Sequence, residues 1–129
     1  METRKIRSRT ATANRPEDRM NASLPHAAHR VLELPEGQAI GAAYRWPGGQ
    51  YCAIHTARGI VGCGIFDVGV AGEFGMAVAI ARGTPSRPLC EPEDLYDAKI
   101  AAVSEPALRM GISPGMTGRE AVARMLSAE

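Results

Sequence analysis

Gly59-Ile60-Val61-Gly62-Cys63-Gly64-Ile65-Phe66-Asp67 is the stretch whose reading decides the fold. It reads as a short strand over 60–66 that runs into a helix start at Asp67, with glycine or cysteine on three consecutive positions. Residues 51–55 form the other clear strand. Ala57, Arg58 and Gly59 separate Thr56 from Ile60. A three-residue loop with glycine last fits a type I turn followed by a bulge, which would put Gly59 in the left-handed region. That register pairs Thr56 with Ile60, Ala53 with Cys63 and Cys52 with Gly64. Directly paired residues share a sheet face, so the two cysteines would lie on opposite faces. A two-residue loop would instead pair Cys52 with Cys63, on one apolar face with Ile54, Val61 and Ile65. The apolar pattern favours the second register. Turn chemistry favours the first, because Ala57 and Arg58 disfavour positive φ. The three-residue loop is the expectation.

Beyond this stretch Asp67 reads as the N-cap of a short helix through Phe74, with Val70, Ala71 and Phe74 as its packed face and Gly75 ending it. Residues 76–81 suit a buried central strand. Residues 83–92 carry three prolines and read as a loop, 93–96 as a helical turn and 98–104 as a last strand. Ser104 caps a helix over 105–110 with Pro106 in its first turn. Thr117 and Glu120 have capping-box spacing, opening a helix to about Ser127 with Ala121, Val122, Met125 and Leu126 as its apolar stripe. Towards the N-terminus, Val31, Leu32 and Leu34 read as a first strand, and Pro35-Glu36-Gly37 and Trp46-Pro47-Gly48-Gly49 are turn signals that bound a second over 38–45. Six strands, most within hairpin distance, predict an α+β two-layer sandwich. Its sheet is largely antiparallel, with short helices on one face.

Composition sets the outer limits. The 129 residues suggest one domain, and 45% apolar with 22% charged residues is ordinary for a globular protein. Aromatic residues make up only 5%, so Ala, Val, Ile, Leu and Met must build the core. Residues 1–27 read as a basic tail: Arg4, Lys5, Arg7, Arg9, Arg15 and Arg19 face only Glu2, Glu17 and Asp18, with too few apolar residues to offset ordering. Residues 28–129 read as the folded domain. A net charge of +1 gives no global reason to expect nucleic acid, and no apolar run approaches a membrane span. Cys52, Cys63 and Cys90 are odd in number and lack C-x-x-C spacing. That argues against a disulfide framework or structural zinc and for a reducing, cytoplasmic location.

Four segments carry a resemblance. Gly59-Ile60-Val61-Gly62-Cys63-Gly64-Ile65-Phe66-Asp67 comes first, then Phe74-Gly75-Met76-Ala77-Val78-Ala79-Ile80, then Asp97-Ala98-Lys99-Ile100. The last is Gly111-Ile112-Ser113-Pro114-Gly115-Met116-Thr117-Gly118-Arg119-Glu120-Ala121. In this order, over about residues 36–125, the chain resembles the YunC-like family, small bacterial and archaeal proteins classed as a domain of unknown function. The resemblance implies an α+β two-layer fold and no reaction. The proline-rich loop over 84–92 and the basic tail depart from the family pattern.

Among residues that could carry chemistry, Cys63 stands first. It lies between glycines near a strand end and ahead of a helix N-terminus, and a nearby cation such as Lys99 could favour its thiolate. Packing in the core is the competing reading of the same residue. Asp67 could act as base, though capping accounts for it. Lys99 is a candidate if it pairs with Asp67 or Asp97, and His55 could reach Cys63 if the two share a face, as the expected register allows. Gly62 and Gly64 would let a ligand approach closely, and Thr117 with Arg119 could hold an anion at a helix start. The glycine run is no dinucleotide fingerprint, since the third glycine and a long helix are missing. His26 and His29 lack two further ligands, so neither metal nor cofactor is expected. The expected function is a small-molecule-binding or accessory domain without an established reaction, able to form a homo-oligomer through open strand edges. An enzyme using Cys63 as nucleophile is the alternative, and a nucleic-acid or protein partner on the basic tail is the third.

Overall fold

The computed structural model describes residues 24–128. The basic tail, and any partner bound through it, falls almost wholly outside the described residues. Six strands form one sheet in the order of the chain: β1 (His26–Leu34), β2 (Gly37–Trp46), β3 (Gly49–His55), β4 (Ile60–Cys63), β5 (Val78–Ala81) and β6 (Ile100–Val103). Three helices accompany them: α1 (Val68–Glu73), α2 (Glu105–Arg109) and α3 (Gly118–Ser127). A 3-10 turn (Pro92–Leu95) sits in the long β5–β6 connection. All pairings are antiparallel except β4 with β5, which are parallel because α1 carries the chain back across the sheet. The α+β class with a mostly antiparallel six-stranded sheet is as the sequence predicts.

The first four strands are a meander built on two-residue turns. Leu34 pairs with Gly37, Trp46 with Gly49, and His55 with Ile60, so that Thr56 faces Gly59 across Ala57-Arg58. The expected three-residue loop is therefore replaced by the shorter register, and Gly59 does not have positive φ. Thr56 supplies the reason. Its backbone N–H donates to the Gly59 carbonyl at 2.8 Å, and its hydroxyl accepts from the N–H of Arg58 and of Gly59 at 3.2 and 3.0 Å. The hydroxyl also donates to the Gly59 carbonyl at 2.8 Å. A side chain that satisfies the turn's own donors removes the need for a left-handed residue at Ala57 or Arg58. Gly59 is glycine for a different reason: a Cβ there would lie 2.6 Å from the Ala77 carbonyl oxygen, where β5 begins.

One sheet face holds the main core. Leu32, Ala39, Cys52, Ile54, Val61, Cys63, Ala79 and Ala81 from the strands pack against Leu95, Ile112, Ala121, Val122 and Met125. The predicted stripe of α3 supplies three of these. A smaller cluster, Ala71, Val78 and Ile80 with Ile60 and Phe66, packs α1 on the other face. Helices therefore do not all share one face as expected; α1 covers only the β4–β5 part of the second. The expected packed face of α1 reduces to Ala71, because Phe74 is 73% exposed and Val70 is exposed too. On the second face, Tyr44 and Tyr51 stack with ring centroids 4.8 Å apart, and Phe66 meets Tyr51 edge-on at 6.1 Å. Val31, Ile40 and Trp46 stay exposed there.

Two contacts lock the helices to the sheet. Ser104, buried at the end of β6, donates to the Met76 carbonyl at 2.8 Å and accepts from the Val78 N–H at 2.9 Å. Gly118 opens α3 hard against the 3-10 turn: its N–H donates to the Ala98 carbonyl at 2.8 Å, and a Cβ would stand 1.9 Å from the Leu95 carbonyl oxygen. No side chain fits there without displacing backbone. Gly118→Ala is expected to cost about 2–3 kcal/mol and to lower the thermal midpoint by roughly 10 °C or more, read by circular dichroism melting.

Candidate functional site

The short hairpin register brings Cys52 and Cys63 together. With Ala53 opposite Gly62 and Ile54 opposite Val61, one further step places Cys52 opposite Cys63 on the main core face. Ala43 pairs with Cys52 on one side and Ala81 with Cys63 on the other. At this level of the sheet the two sulfurs stand in a row of methyl groups. Small flanking residues leave room for sulfur and no other polar side chain, so the thiols have mainly each other as partners.

They use that proximity. The neighbouring Cys52 thiol is the main cause that lowers the Cys63 pKa to about 5, against partial burial, which pushes it up. The Ile65 N–H also favours the Cys63 thiolate. It is turned back by the bend in which Phe66 N–H reaches the Cys63 carbonyl at 3.4 Å. The proximity of Cys63, followed by burial, raises the pKa of Cys52. The opposite shifts favour a thiolate at Cys63 and a thiol at Cys52. Cys52 is 0% exposed and Cys63 9%, so only Cys63 reaches the surface.

A lid covers this row. The 3-10 turn packs on β2, β3 and β4, with Pro92 set into the space left by Gly41, where a Cβ would be 2.7 Å from the proline ring. Arg30 pairs with Glu93 and, at 3.3 Å, with Glu91; Arg45 also pairs with Glu91. These half-exposed ion pairs orient the turn more than they stabilise it. Asp94 accepts from the N–H of Cys90 and Glu91 at 3.0 and 2.8 Å. Gln50, two residues before Cys52, donates to the Leu89 carbonyl and the Cys90 sulfur.

The remaining candidates go elsewhere. His55 pairs with Ile60 and lies on the opposite face, so it does not reach Cys63. The expected partnership fails with the register that supported it. Asp67 caps α1, accepting from the Val70 N–H at 3.0 Å. Lys99 is exposed, separated from Cys63 by β5, and its charge falls near Glu120 rather than Asp67. At the start of α3 the donors are taken: Glu120 N–H by the Thr117 hydroxyl, and Arg119 N–H by the Tyr96 carbonyl. The Arg119 side chain pairs with Glu36 at 3.2 Å. Gly62 makes room for the Phe66 ring, 2.5 Å from where its Cβ would be, and Gly64 is exposed. The Cys52–Cys63 pairing belonged to the two-residue loop that turn chemistry disfavoured, and the Arg30, Arg45, Glu91 and Glu93 network was not read from the sequence. For Cys52 a signal existed: the two cysteines are symmetric about Ala57-Arg58.

A separate depression of about 410 Å³ lies under the proline-rich loop, lined by Arg82, Thr84, Arg87, Glu93, Asp94 and Asp97 among others. Cys63 is not in its walls, but Arg82 follows Ala81, its pairing partner on β5. The depression therefore opens near the carboxyl ends of the parallel pair, where ligands of parallel sheets gather. Among the described residues no group of three or more His, Cys, Asp or Glu is placed to hold a metal ion, and no helix is long and apolar enough to cross a membrane.

These features define an α+β domain with a cross-strand thiol pair under a 3-10 lid. A family model described as a domain of unknown function (DUF1805) matches residues 62–125. The solved structure of a protein of unknown function, TA1206 from Thermoplasma acidophilum, is similar with a TM-score of 0.67 at 17% identity. The match covers 78% of this chain and 94% of that one. At that identity the likeness is one of fold. No curated protein matches the chain. No reaction is established by either likeness.

The pair makes a quantitative expectation. Because the Cys63 pKa is lowered, its thiolate persists at neutral pH and is lost only as pH falls through about 5. Alkylation of Cys63 should therefore be nearly flat between pH 6.5 and 8.5. Cys52→Ala removes the donor and should slow alkylation of Cys63 at pH 6.5 by about tenfold or more, while Cys52→Ser, which keeps an O–H donor, should restore part of it. Mass-resolved iodoacetamide kinetics read both.

Proposed function

We propose that this protein works through Cys63 as a thiolate nucleophile, with Cys52 as its hydrogen-bonding partner, acting on a small electrophile. The observation that carries the reading is the β3–β4 register, which sets the two thiols opposite each other on one face. Two further features fit it. The Cys52 thiol and the Ile65 N–H favour a thiolate at Cys63, and Cys63 is the less deeply buried of the two thiols.

The expected small-molecule ligand belongs to the same proposal. The depression beside the ends of β4 and β5, lined by Arg82 and Arg87 as well as Glu93, Asp94 and Asp97, suits a polar ligand bearing both charges. Two adjacent free thiols fit a reducing compartment such as the cytoplasm. The finer YunC-like assignment rests on the four sequence segments, and self-association on the uncovered Val31, Ile40 and Trp46.

The test is the reactivity of the folded chain. Cys63 should react with iodoacetamide at pH 6.5 faster than Cys90, the half-buried thiol just before the lid, even though Cys63 is the more buried of the two. A Cys63 that is inert while folded, or that titrates like an ordinary thiol near pH 8.5, would remove this reading.

A further inference from the structure

We infer that Cys63 and Cys52 are the attacking and resolving thiols of a reversible two-electron couple, in which a hydroperoxide is reduced and a cross-strand Cys52–Cys63 disulfide forms. The inference rests on the thiolate reading above and goes beyond it, because a nucleophile alone needs no second sulfur. Three observations point to the pair. Opposite residues in an antiparallel ladder have Cα atoms about 4.5–5.5 Å apart, inside the range of about 4.4–6.8 Å that a disulfide spans. Both side chains belong to one core cluster on the same sheet face, so closing the bond requires side-chain rotation and no shift of the strands. Their exposures are unequal, which divides the roles: Cys63 meets the oxidant and Cys52 stays shielded from it.

The substrate class follows from access. A cysteine residue only 9% exposed beside a packed lid excludes a protein disulfide, whose attack needs room for two flanking chains. Hydrogen peroxide, close to water in size, passes. The Cys63 thiolate attacks one peroxide oxygen; the O–O bond breaks, an S–O bond forms, and the leaving hydroxide takes a proton to become water. The product is a Cys63 sulfenic acid. The Cys52 sulfur then attacks the Cys63 sulfur. The S–S bond forms, the S–O bond breaks, and the leaving hydroxide departs as water with the Cys52 proton. The two sulfurs have together lost two electrons, and the peroxide has gained them. A thiol reductant returns the pair to the reduced state by exchange.

The experiment uses the full reduced chain with one equivalent of hydrogen peroxide. Two of the three thiols should disappear, the intact mass should fall by two hydrogens, and peptide mapping should find Cys52 linked to Cys63. Dithiothreitol should restore both thiols. Cys90→Ser should leave this unchanged, whereas Cys52→Ser should trap the Cys63 sulfenic acid, seen as a dimedone adduct that the wild-type chain does not accumulate. A wild-type chain that accumulates the same adduct without a linked peptide overturns the resolving role of Cys52 and leaves the Cys63 nucleophile standing. A linkage through Cys90 overturns it as well. A Cys63 that reacts with neither peroxide nor iodoacetamide overturns both readings. The linked peptide is measured on the wild-type chain, so the result does not depend on the folding of a variant.

Discussion

The turn at Thr56 is the constraint on which the rest depends. One hydroxyl accepts from two backbone donors and donates to a carbonyl, and it closes the β3–β4 hairpin over two residues instead of three. In a sheet a shift of one residue sends every side chain to the opposite face. With the longer loop Cys63 would lie opposite Ala53 and share its face with His55, away from Cys52. With the shorter one, Cys52, Ile54, Val61 and Cys63 join a single face that α3 and the 3-10 turn can cover. A local hydrogen-bond preference thus selects the core and the site in one step.

The rest of the architecture protects that choice. Glycine recurs where backbones or rings must meet: Gly59 against Ala77, Gly41 under Pro92, Gly118 against Leu95. With few aromatic residues to fill space, close backbone approach replaces side-chain bulk, and packing density is reached by bringing elements nearer. The Arg30–Glu91–Glu93–Arg45 network then fixes the lid across β1 and β2. Since these pairs are half-exposed, their worth lies in orientation. The thiols end up side by side on the core face, between Ala43 and Ala81.

Much of the fold was legible in the chain. All six strands and the helices around Asp67, Ser104 and Thr117 follow from alternation, turn residues and caps, which are local signals, although the Ser104 hydroxyl makes no cap bond and reaches Met76 and Val78 instead. The capping box of Thr117 and Glu120 is present as read, and so is the Asp67 cap. The site was less legible. Cys63 drew attention by its neighbours, but His55 and Lys99 were assigned to it through a register and a proximity that local chemistry could not supply. The packed face read for α1 failed because the helix ends at Glu73, leaving Phe74 at its C-cap and exposed, which periodicity does not report.

The sequence by itself determined which segments are strand, turn and helix, and it restricted the core to small aliphatic residues, because those properties act within a few residues of the chain. Only the tertiary structure decided the face on which each cysteine falls, the side of the sheet that α1 takes and the lid that closes over the thiols. Those depend on a balance between turn geometry and burial. The Thr56 hydroxyl tips it at one end of the hairpin, and the main core beneath α3 rewards it at the other.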